Sequence, residues 1–113
     1  MNESEQRAAE VLFELRRIIA ERRAAPPEVS YTSKLMKRGV EHCAKKTGEE
    51  AVEFALAAVI GDGERIGDEA ADLLYHFIVT LEVTGVPLEA VCERLKQRLG
   101  TSGLEEKARR KAT

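Results

Sequence analysis

The chain has 113 residues, a formal net charge of -2, 43% hydrophobic residues, 34% charged residues and 4% aromatics. Its length fits one domain, residues 1–113, that buries about two-thirds of its unfolded surface, so a partner subunit would add to its core. The composition argues against a disordered chain and for helices packed with Leu, Val, Ile and Ala, and the small net charge excludes a global field for nucleic acid or acidic lipid.

Residues 4 to 23 carry Val11, Leu12, Leu15, Ile18 and Ile19 at three- and four-residue intervals, which predicts an amphipathic helix ended by Ala24-Ala25-Pro26-Pro27. Its most apolar stretch, VLFELRRIIA, contains Glu14, Arg16 and Arg17, which a signal-peptide core would not carry. No run reaches the roughly 20 apolar residues of a membrane span, and a cytoplasmic protein with reduced thiols is expected. PEVSYTSKLMKRG reads as an extended entry and a short helix closing at Gly39. Residues 40 to 60 predict a second long helix, Gly61-Asp62-Gly63 a tight turn, and residues 64 to 84 a third helix antiparallel to the second. Gly85 stops the chain, and Pro87 opens a last stripe of Leu88, Val91, Cys92, Leu95 and Leu99 that ends at Gly100. The tail TSGLEEKARRKAT is polar and is expected to be ordered only by contacts. Cys43 and Cys92 have no CxxC spacing and read as small apolar packing residues. With no strand pattern and no repeat, the expected fold is all-α, an antiparallel helical bundle.

The acids are the informative feature. Glu50 and Glu53 stand three apart, as do Glu69 and Asp72, so each pair shares a helical face. In a hairpin folded about Asp62, facing positions have residue numbers with a constant total, which sets Glu53 opposite Glu69 and Glu50 opposite Asp72. Glu49 and Glu53 continue into Leu56 and Ile60, and Glu69 and Asp72 into His76, Thr80 and Val83, so the acids are expected to extend core-facing stripes. Two like charges about 4 Å apart repel by roughly 4 kcal/mol at an effective dielectric of about 20, so four converging carboxylates need a cation. Hard oxygen ligands favour Mg²⁺, then Mn²⁺. The competing reading of Thr47 to Glu50 is a capping box that starts a helix at Gly48. His76, one turn beyond Asp72, reads as a ligand, a partner standing behind the ligands or a satisfied core histidine, and is kept as a candidate for the second of these.

Basic residues cluster at Lys34, Lys37 and Arg38, at Lys45 and Lys46, and at Lys107, Arg109, Arg110 and Lys111. Together with a metal they could serve a polyphosphate without a Gly-rich P-loop, which the sequence lacks. The matched ExxE and ExxD pairs resemble the all-α NTP pyrophosphohydrolase superfamily. More particularly, SYTSKL at 30 to 35, KKTGEEAVE at 45 to 53, EAADLLYH at 69 to 76 and SGLEEKARRK at 102 to 111 resemble the phosphoribosyl-ATP pyrophosphohydrolase family of histidine biosynthesis.

That resemblance implies Mg²⁺ held by Glu50, Glu53, Glu69 and Asp72, with Glu49 as a further ligand and Glu49 or Glu53 taking a proton from the attacking water. It implies substrate contacts from Tyr31, Lys34, Lys45 and Lys46, and a role for Lys107 and Arg110 in closing over phosphate or in a subunit contact. It further implies a homodimer that completes the bundle, a nucleotide substrate, and cleavage between its α- and β-phosphates. Thr47 departs from the aliphatic residue the family often has there. A house-cleaning nucleoside triphosphate pyrophosphatase with the same machinery, and a non-catalytic metal-binding helical dimer, are the competing functional readings.

Overall fold

Asn2, Ser30 and Asp62 open three helices by one device: a side-chain oxygen accepts the backbone N–H three residues on, at 2.8 Å from Glu5, 3.1 Å from Ser33 and 3.4 Å from Arg65. These caps start α1 (Glu3–Arg22), α2 (Tyr31–Lys37) and α4 (Gly63–Thr84); α3 (Val40–Ile60) starts after Gly39 and α5 (Leu88–Arg98) after Pro87. A last helix, α6, spans Gly103–Ala112. This computed structural model describes residues 1–100 and 103–112, and every regular element among them is a helix.

Gly61 closes α3 in the left-handed conformation at φ 87°, and with Asp62 capping α4 the chain reverses within two residues. The hairpin that results, α3 against α4, is the most extensive packing among the described residues. α1 lies on α4, and α2 touches α1, α3 and α4. The core forms where these four meet: Ile19, Leu35, Met36, Cys43, Ile78 and Val79 are buried, with Leu12, Leu15, Tyr75, Phe77 and Val83 packed around them. No single helix among the described residues is long and apolar enough to cross a membrane.

Several expectations need correction. α3 runs unbroken from Val40, so Thr47 is a mid-helix residue and no capping box starts at Gly48. The stripe of α3 that meets α4 is Cys43, Thr47, Glu50, Phe54 and Ala57; Leu56 and Ile60, expected inside, are exposed. On α1, Ile19 is buried and Leu12 and Leu15 half-buried, but Val11 and Ile18 face outward. On α5 only Leu88 is buried; Cys92, Leu95 and Leu99 are exposed, so of the two free cysteines only Cys43 packs inside, its thiol donating to the Leu35 carbonyl at 3.3 Å. The polar tail contains a helix, with Thr101, Ser102 and Thr113 outside the described residues.

Candidate active site

Thr47 and Thr80 tie the two arms of the hairpin together. Their hydroxyls lie 2.8 Å apart, Thr47 Oγ1 also reaches the carbonyls of Cys43 at 2.9 Å and His76 at 3.1 Å, and Thr80 Oγ1 donates to Cys43 at 3.1 Å. This polar link fixes the register of α3 on α4 one turn from the acids. It therefore decides which carboxylates meet.

Those that meet are Glu50, Glu69 and Asp72, each offering an oxygen within 4.8 Å of the others. Glu50 and Glu69 are half-buried, and one oxygen of each (Oε2) is shut off from solvent with no hydrogen-bond partner. Orphaned carboxylate oxygens are costly. The strain is visible in Glu69, whose carboxyl is held above its ordinary range, first by burial, then by the charge and hydrogen bond of Glu53, then by Asp72 and Glu50. Glu53, itself exposed, thus stands beside Glu69 rather than inside the triad. Two orphaned hard oxygens in a cluster of acids fit a divalent cation. Glu49 turns another way: exposed, it pairs with Lys46 at 3.2 Å, and that hydrogen bond and charge hold its carboxyl below the ordinary range while raising Lys46.

Behind the acids, α2 is pinned to α4 by two adjacent residues from each. The Tyr31 hydroxyl lies 3.0 Å from His76 Nε2, and the Thr32 hydroxyl bonds that of Tyr75. His76 Nδ1 donates to the Asp72 carbonyl at 2.8 Å, so in the neutral ring Nε2 accepts the Tyr31 proton. The Tyr31 and Tyr75 rings stack at 6.4 Å, and His76 sits edge-on to both at 6.0 and 5.2 Å. Both nitrogens of buried His76 are thus engaged, one of them at the Asp72 backbone. Tyr31 also faces the site: burial raises its pKa most, Lys46 lowers it, and Tyr75, Glu50 and Asp72 raise it.

On the Lys46 side, Tyr31, Lys34, Leu35, Arg38, His42 and Lys46 line an open recess of ≈ 230 Å³. Lys45 is exposed and acts by charge on His42 and Glu49. Lys107 and Arg110 are exposed on α6, which packs extensively on no other helix among the described residues. Sequence reasoning passed over His42 and the Thr32–Tyr75 pair. The four-residue spacing of His42 and Lys46 on α3 was the available signal for the first. A larger hollow of ≈ 410 Å³ between α1 and the α4–α5 junction includes Arg16 and Arg23, but these already pair with Glu89 and Glu82.

Fold and site together define an all-α protein built on a carboxylate-lined helical hairpin suited to a divalent cation. The chain belongs to the phosphoribosyl-ATP pyrophosphohydrolase family, whose profile matches residues 12–99. A phosphoribosyl-ATP pyrophosphatase of Rhizobium rhizogenes is 52% identical over 99 residues, covering 88% of this chain and 95% of that protein. Phosphoribosyl-ATP pyrophosphatase 1 of Bradyrhizobium diazoefficiens is 53% identical over 100 residues, covering 88% and 94%. The phosphoribosyl-ATP pyrophosphatase of Methylobacterium nodulans gives the same identity and coverage.

Proposed function

We propose that the protein hydrolyses phosphoribosyl-ATP to phosphoribosyl-AMP and pyrophosphate, the second step of histidine biosynthesis, with Mg²⁺ as the working ion and Mn²⁺ as a substitute. What carries the reading is the pair of orphaned oxygens on Glu50 and Glu69, gathered with Asp72 in a chain of this family. When bound there, the cation neutralises the acids and the phosphate charge that builds as the bond breaks.

The chain's own groups do the rest. Glu50, Glu69 and Asp72 hold the cation, with Glu53 beside Glu69 as a fourth ligand. Lys46 and Tyr31, between the acids and the basic recess, orient the phosphate chain. A water attacks, the bond between the α- and β-phosphates breaks, and pyrophosphate leaves. Glu49 or Glu53 takes the water's proton. While paired with Lys46, Glu49 is the weaker base; a phosphate that draws Lys46 away restores its basicity. Lys45 adds positive charge on the same side, and Lys107 and Arg110 are left to phosphate closure or a subunit contact.

The working form is a homodimer. Val52, Leu56, Val59 and Ile60 recur along one exposed face of α3, and Leu95 and Leu99 along α5, an apolar surface that a second copy would cover. The reading also carries the cytoplasmic setting of a biosynthetic enzyme with free thiols. Pyrophosphate release from phosphoribosyl-ATP, with Mg²⁺ and with EDTA, tests the assignment. Magnesium-dependent turnover is expected; rapid release from dUTP with none from phosphoribosyl-ATP would overturn it.

A further inference from the structure

The recess beside the acids has more cationic groups than a metal-bound phosphate chain requires. Lys46 is committed to Glu49, yet among the described residues neither Lys34 nor Arg38 has an acidic partner. His42 completes that wall. It stands eight residues before Glu50 on the same helix, about 12 Å along the axis, with Lys46 between them. A triphosphate centred on the carboxylates would engage Lys46 and leave the far wall unused.

The substrate of the proposed reaction carries two separate anions: a triphosphate and, on the ribose attached to its base, a lone phosphomonoester. We propose that Arg38 and His42, with Lys34, form a second anion subsite that takes this phosphomonoester. The inference rests on phosphoribosyl-ATP being the substrate. It gives the enzyme a means of rejecting ordinary nucleoside triphosphates, which have the first anion but not the second.

The chemistry of the wall suits a phosphomonoester. Arg38 brings a planar donor fork matched to phosphate oxygens, and Lys34 a mobile point charge. His42 brings an adjustable charge. Burial first, then the cations Arg38, Lys45 and Lys46, hold its pKa below the ordinary value of 6.5, with Glu49 acting the other way. Tyr31 and Lys34 face it from α2. At neutral pH the ring is therefore uncharged, which lessens the repulsion in an empty recess. A dianion arriving among these groups reverses the sign of the local field, raises the His42 pKa and draws a proton onto the ring. Binding thus takes up a proton and strengthens as pH falls, by about tenfold for each unit that the His42 pKa rises on binding.

The test uses the full chain with Mg²⁺. The His42 imidazole is titrated by NMR with and without ribose 5-phosphate, and Arg38→Gln and His42→Gln are assayed on phosphoribosyl-ATP. Ribose 5-phosphate is expected to raise the His42 pKa. Each variant is expected to raise KM about tenfold while leaving kcat within about twofold, and His42→Gln to flatten the pH dependence of KM. An unmoved His42 titration, together with normal KM in both variants of an enzyme that turns phosphoribosyl-ATP over, overturns the subsite. Failure of the wild type to hydrolyse phosphoribosyl-ATP would instead overturn the reaction assigned above, while the NMR titration still reads the recess itself.

Discussion

At the scale of single residues, Glu69 is an acid whose surroundings oppose its charge. Its folded-state pKa lies above the ordinary 4.5, chiefly through burial and then through Glu53. Its contribution to stability is therefore fully present below about that value and is lost as pH rises through the folded pKa. In EDTA, Glu69→Gln removes that loss, so its melting temperature relative to wild type should climb as pH is raised from about 4 to 7. Its magnesium-dependent turnover should fall by at least about 100-fold. A variant less stable than wild type at neutral pH in EDTA would mean that the carboxylates support the fold. The identity of the acids could be read from their spacing, because three-residue intervals put side chains on one helical face whatever surrounds them. Which of them lose solvent could not. That Glu50 is half-buried while Glu49 and Glu53 stay exposed follows from the rotation of α3 about its axis, set by Cys43, Thr47 and Ala57 against α4.

At the scale of elements, helix boundaries were legible wherever a capping side chain or a glycine marks them. α1, α3 and α4 lie within a residue or so of their predicted spans, and the Asp62-centred register brings Glu50 to Asp72. The competing capping-box reading at Thr47 was open because the same four residues satisfy a motif inside a helix as well as at its start. Only the cross-helix bond to Thr80, thirty-three positions away, tells the two apart. The SYT and YH motifs were read as separate signatures; the structure makes them partners, Tyr31 with His76 and Thr32 with Tyr75. A contact between short motifs forty-odd residues apart leaves no periodic trace in one sequence. The α2–α3 junction makes a sharp prediction. Gly39 adopts φ 90° and ψ 177°, a region essentially closed to side chains, although a Cβ there would meet no neighbour within 4 Å. Gly39→Ala should therefore cost about 1–3 kcal/mol through backbone strain alone, measured by denaturant unfolding. A neutral substitution would show that the junction relaxes freely.

At the scale of the whole molecule, the exposed apolar residues of α3 and α5 leave one chain with an unfinished surface. Val59 is 86% exposed, so replacing it in a lone chain should be nearly neutral. If two copies close over this face, Val59→Lys should convert a dimer to a monomer in sedimentation, with helicity retained. A wild-type monomer would overturn the homodimer, and a variant that stays dimeric would place the subunit contact elsewhere. The stripe through Leu56 and Ile60 was legible as apolar, but a sequence does not say whether its own chain or another covers it. Beneath the proposed dimer, subsite and reaction lies one claim, that the α3–α4 hairpin gathers carboxylates that a divalent cation neutralises. Crystals soaked in Mn²⁺ and measured at its absorption edge address this most directly. The account predicts an anomalous peak among the carboxylates of Glu50, Glu69 and Asp72; a fully occupied Mn²⁺ elsewhere, with those three side chains turned apart into solvent, would contradict it.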